Sequence, residues 1–201
     1  IIPVHAVVQV GSNFFRAAIM WRNILFTWMP PFVIGTFIGA AVGGQIVFAL
    51  PKPLLQAIIG IFVLYAVWGP KVRAMEPSRL TFGCVGAAAS FATMFAGATG
   101  PLIAPFIKAS TTDRMMTVAT HAAFMSWQHG VKILTFGFLG FAFGPYIPLT
   151  GLMILFGIVG TLSGKFILDW MPEKVFRNGF NLMLTIVALR LLYEASTEIA
   201  G

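Results

Sequence analysis

Residues 80–107 read LTFGCVGAAASFATMFAGATGPLIAPFI and contain no charged residue. A single transmembrane helix needs about 20 apolar residues, so the run is too long for one simple span. Its middle, Gly97-Ala98-Thr99-Gly100-Pro101, is a helix breaker. Either the run is one bent span, or two half-helices enter and leave from the same side. The choice sets the side of every later loop.

Composition shows that spans are the right unit. The 201 residues are 58% hydrophobic and only 9% charged, and mean hydropathy is +0.90. A soluble domain carries about 25% charged residues, so this chain lacks the polar groups to cover a water-facing surface. It reads as an all-α, polytopic transmembrane helical bundle. The apolar runs are long rather than alternating ten-residue segments, which disfavours a β-barrel. The lipid bilayer is therefore the first partner. The net charge of +7 fits cytoplasmic loops rich in Lys and Arg, and no nucleic-acid partner is needed to explain it. The one cysteine, Cys84, allows no internal disulfide.

Apolar segments run approximately over 1–20, 24–50, 54–70, 80–107, 115–136, 146–168 and 176–195. If 80–107 crosses once, Arg22, Lys71, Arg73 and Arg79 lie opposite Lys52, Lys108, Arg114 and Lys174. That even split violates the positive-inside bias. If 80–107 is re-entrant, only Lys52 lies outside. The charge distribution thus predicts a broken re-entrant helix.

A duplication supports that topology. His5, Gln9, Ser12, Asn13 and Arg16 share their spacing with His121, Met125, Gln128, His129 and Lys132. On a helix, these positions fall on one face. Gly39 and Gly43 precede Leu50-Pro51 as Gly160 and Gly164 precede Met171-Pro172. These glycines read as close-packing positions. Residues 1–73 form a first transmembrane repeat and 80–201 a second, and the re-entrant topology makes them inverted, as in many secondary transporters. The broken helix has no counterpart in the first repeat. We therefore expect the N-terminal part of that repeat to be missing, its equivalent lying roughly 35 residues upstream of Ile1.

Chemistry has three candidate locations. At the break, Pro101 suits the first turn of a helix, with Thr99 or Gly100 as cap. A helix that starts inside the membrane directs free N–H groups and a positive dipole end at an anion. The polar faces are the second location, since polar side chains within spans usually face the bundle interior. Asn13 and His129 are their deep members, and His129 is also a candidate proton carrier. The third is the equivalent pair Arg16 and Lys132. These either snorkel to the interface or add attraction for an anion. Trp127 and Phe124, beside the stripe, read as packing residues. No metal-ligand cluster, phosphate-binding glycine loop or nucleophile elbow is present in the sequence. The chain reads as a non-enzyme without cofactor or metal.

The run Gly97-Ala98-Thr99-Gly100-Pro101-Leu102-Ile103-Ala104-Pro105-Phe106, then Ala119-Thr120-His121-Ala122, then Lys132, resembles the second repeat of the TauE/SafE sulfite-exporter family. Ser12-Asn13-Phe14-Phe15-Arg16 is similar to the matching part of its first repeat. The resemblance implies a multi-pass protein of a bacterial or archaeal inner membrane that moves sulfite, sulfonates or related sulfur-containing anions. It supplies the sulfur, whereas the residues supply only the negative charge. The expected seat is Gly97, Thr99, Gly100 and Pro101, with Asn13, Arg16, His129 and Lys132 lining the pathway of a small anionic substrate. Rival readings are an anion channel, a haem- or quinone-binding redox subunit near His121 and His129, and a non-transporting assembly partner. Homo-oligomerisation stays open.

Overall fold

The computed structural model describes residues 2–69, 75–95, 99–168 and 173–200. Gly97 lies outside them, as do the side-chain surroundings of Pro101, Gly160, Gly164 and Lys165. Eight α-helices account for nearly all described residues: α1 (Ile2–Ile19), α2 (Met29–Ala49), α3 (Lys52–Trp68), α4 (Arg79–Phe95), α5 (Gly100–Ser110), α6 (Arg114–Phe138), α7 (Ile147–Leu168) and α8 (Glu173–Ala200). No strand occurs among the described residues, and the chain is all-α. The helical stretch Phe26–Ala49 is long and apolar enough to cross a membrane, while Lys52–Tyr65, Arg79–Phe95 and Gly144–Gly157 are shorter apolar helices.

Two compact units are present. One comprises Ile1–Ala49 with Val72–Thr150, the other Leu50–Lys71 with Gly151–Gly201. In the second, α3 packs along α8. Gly60 makes room for Leu192, and Lys52 pairs with Glu198 at 2.6 Å.

The first unit holds the polar cluster, and glycines set its geometry. Helix α2 runs parallel to α4: a Cβ on Gly35 would overlap the Gly83 carbonyl oxygen, and one on Gly39 the Ala87 carbonyl oxygen. Gly86 meets the Phe32 carbonyl in the same way, and Gly43 faces Met94 and Phe91. Without side chains in between, the two backbones touch, which is the packing mode available to helices in lipid. Below this seam, Phe32 stacks on Phe124 with centroids 3.9 Å apart, and Phe82 meets Phe124 edge-on. Phe124 is thus core packing, while Trp127 is half exposed.

Helix α6 serves as a ruler for the broken segment. Phe82 of α4 meets Phe124, and Thr93 of α4 meets Lys132, so α4 ascends with α6. Past the break the direction reverses. Thr99 reaches Gln128, Gly100 reaches His121, and Thr111, just beyond α5, reaches Met116. Phe82 near the start of α4 and Phe106 and Ile107 late in α5 belong to one apolar cluster. Helices α4 and α5 therefore form an antiparallel hairpin. A cavity of about 270 Å³, lined mostly by apolar groups including Cys84, Ala88, Leu102 and Phe106, lies between them.

Helix α1 packs antiparallel on α6, with His5 against His129 and Ala17 near Ala122 and Ala123. The contacts are reciprocal. His5 lies within electrostatic reach of Lys132, and His121 within reach of Arg16. A 3-10 turn, Phe26–Trp28 or Gly144–Tyr146, leads directly into α2 and α7 respectively.

Candidate anion-binding site

Four helices deliver polar groups to the hairpin tip. Lys132 sits on the inner face of α6 and is fully buried. Its ammonium donates to the Thr93 carbonyl oxygen and lies 3.4 Å from the Thr93 hydroxyl. Thr93 belongs to the last turn of α4, where carbonyls lack helical partners and the dipole end is negative. A cation there satisfies the end of the half-helix. Among the described residues the ion pairs are Lys52–Glu198 and Arg190–Glu194, so this buried ammonium has no carboxylate beside it.

The start of α5 shows the complementary arrangement. Thr99 occupies the cap position, but its side chain makes no capping hydrogen bond. Instead its hydroxyl donates to Gln128 Oε1 at 3.1 Å. Of the two expected caps, Thr99 and Gly100, Thr99 holds the position, but the tertiary acceptor on α6 captures its hydroxyl. The Leu102 N–H of the first turn donates to the Thr99 carbonyl oxygen at 3.0 Å, and the Pro at the first or second helical position brings no N–H of its own. Gly100 allows His121 to approach. A Cβ there would lie 3.1 Å from His121 Nε2, which contacts the Gly100 carbonyl at 3.3 Å.

Gln128 is fully buried, and its Nε2 has no hydrogen-bond partner. Since Oε1 is held by Thr99, that free amide lies at the start of α5. His129 is 2% exposed and its Nδ1 is likewise unpartnered. On α1, buried Asn13 donates to the Gln9 backbone carbonyl at 2.9 Å and to Gln9 Oε1 at 3.1 Å. Gln9 Nε2 in turn lies 3.1 Å from His5 Nε2.

Thr99 thus meets Gln128, Gly100 meets His121, Lys132 meets Thr93 and His129 meets His5, with Pro101 in the first turn of α5 and Asn13 linked to His5 through Gln9. Arg16 is exposed in the last turn of α1 and lies within electrostatic reach of His121. Gly97 falls outside the described residues. Three contributors, Gln128, Thr93 and His5, were absent from the predicted set. Gln128 and His5 lie on the two repeated stripes, so their positions carried a signal. Thr93 contributes a carbonyl, and no residue-type signal marks a backbone oxygen.

This all-helical, largely apolar fold is that of a helical membrane protein. A family model for the sulfite exporter TauE/SafE matches residues 1–191. The chain belongs to that family, whose members are integral membrane transporters. Membership lends no support to the channel or redox-subunit readings. No curated protein and no solved structure matches the chain.

Proposed function

We propose that this protein is a secondary transporter for a small anion, namely sulfite, a sulfonate or a related organosulfur anion, and that the tip of the α4–α5 hairpin is its binding seat. The observation that carries the proposal is the fully buried Lys132 ammonium without a carboxylate, next to the unpartnered Gln128 amide at the start of α5. Burying an uncompensated charge costs several kcal/mol in real proteins, a penalty an arriving anion would offset. A trigonal or tetrahedral oxyanion has enough lone pairs to accept from the ammonium and the amide together.

The antiparallel course of α4 and α5 supports a re-entrant hairpin. The antiparallel α1–α6 pair, its reciprocal contacts and the shared 3-10 turns before α2 and α7 support inverted repeats. Lys132, Gln128 and Thr93 are closed off from the surface, so a solute reaches them only when the helices separate. That is the requirement of alternating access. The family is membrane-integral, which supports reading the location as a bacterial or archaeal inner membrane.

Reconstitution in proteoliposomes tests the proposal by uptake of radiolabelled sulfite, with taurine and sulfoacetate as further solutes. Saturable uptake is expected. Silence across all three would remove the substrate class, and currents far above carrier turnover would reassign the protein as a channel.

A further inference from the structure

The hydrogen bonds along α1 have a fixed polarity. A backbone carbonyl can only accept, so the bond to the Gln9 carbonyl fixes which atom of Asn13 is the amide nitrogen. The same nitrogen donates to Gln9 Oε1, which turns Gln9 Nε2 towards His5. An amide nitrogen only donates. His5 Nε2 is therefore the acceptor, and the neutral ring carries its proton on Nδ1. That Nδ1 is buried and has no partner. The ring stands edge-on to His129 with centroids 5.9 Å apart and is within electrostatic reach of Lys132.

Three nearby acceptors are already engaged. Lys132 occupies Thr93, Thr99 occupies Gln128 Oε1, and His121 occupies the Gly100 carbonyl. What remains is a surplus of donors: His5 Nδ1–H, the Gln128 amide and the third proton of the Lys132 ammonium. His129 Nδ1 is unpartnered and takes either role. Resting on the anion-transport reading above, we propose that His5 is a ligand-binding residue of the seat, donating through Nδ1–H to an oxygen of the bound oxyanion. Gln9 and Asn13 act behind it as positioning residues that hold the tautomer. The seat then draws on both repeats, α6 and α5 from one and α1 from the other.

Side-chain mimics of each imidazole nitrogen test the assignment. Asn places an amide nitrogen where His Nδ1 lies, whereas Gln places one nearer His Nε2. Calorimetric titration of the purified protein with methanesulfonate compares wild type, His5→Asn, His5→Gln and Asn13→Leu. His5→Asn is expected to bind within about threefold of wild type and His5→Gln at least about tenfold more weakly, the size of one unmade hydrogen bond to a charged partner. Asn13→Leu keeps the ring but frees the tautomer, and weaker binding by about two- to fivefold is expected.

A His5→Gln protein that melts like wild type and binds equally well would overturn the His5 assignment while leaving the anion reading intact. So would equal losses in His5→Asn and His5→Gln. Unchanged binding in Asn13→Leu would overturn the positioning role. A wild-type protein that binds neither methanesulfonate nor sulfite nor taurine would bring down the anion reading and this proposal with it.

Discussion

Along α1, the polar stripe begins half-buried at His5 and ends at an exposed Arg16. Along α6, the equivalent stripe begins half-buried at His121 and ends at Lys132, which is fully buried. The spacing is the same in both helices. What differs is the neighbour: the α4–α5 hairpin tip lies across the second half of α6, offering Thr93 to Lys132 and Thr99 to Gln128. Ser12, the counterpart of Gln128, is exposed. The comparison teaches that a stripe becomes a site only when another element closes over it.

The largest expected effect separates the two cations. Lys132→Met should lower sulfite uptake into proteoliposomes by about thirtyfold or more, the lower end of the cost of removing one member of a buried charge pair. Arg16→Met should stay within about twofold, as expected of an exposed charge. Equal losses would break the comparison by making both stripes part of one pathway.

The seam that brings α4 into place comes next. Gly39→Leu forces a side chain into the Ala87 backbone, and overpacking of this kind costs about 1–3 kcal/mol or more. Denaturant unfolding in detergent should show that loss. An unchanged midpoint would mean that the α2–α4 seam does not hold the hairpin over α6.

Thr99→Val removes the hydroxyl that holds Gln128, leaving a buried carbonyl oxygen unpaired at a cost of about 1–3 kcal/mol. The same unfolding measurement should detect it, together with weaker sulfite binding. Ser12→Ala, the matching change on α1, should alter neither. A Thr99→Val protein as stable as wild type would sharpen the question of what else holds the Gln128 oxygen.

The smallest effect is expected furthest from the stripes. Lys52 and Glu198 form an exposed pair between α3 and α8, and Glu198→Gln should leave the thermal midpoint unmoved, as for most surface ion pairs. A clear drop would show that this pair contributes measurably to the α3–α8 contact.

Much of this organisation was legible before any coordinates. The helical class follows from long uncharged runs, because only a continuous helix satisfies its own backbone within one segment in lipid. The break at Thr99-Gly100-Pro101 follows from local backbone chemistry. The shared stripe follows from counting residues, and it already contained Gln128 and His5. Spacing could not say which members of the stripe are covered. Arg16 and Lys132 hold equivalent places in the two stripes and are both cations, and burial divides them.

The sequence by itself determined, to within a few residues, where helices start and stop and which faces are polar. Those properties are local, set by residue type and helical period. Tertiary structure alone decided that Thr99 serves Gln128 rather than its own helix, that Lys132 closes the end of α4, and that His5 faces His129. Each of those contacts joins residues far apart in the chain. Their partners are chosen by how the helices pack together, and a linear pattern does not encode that packing.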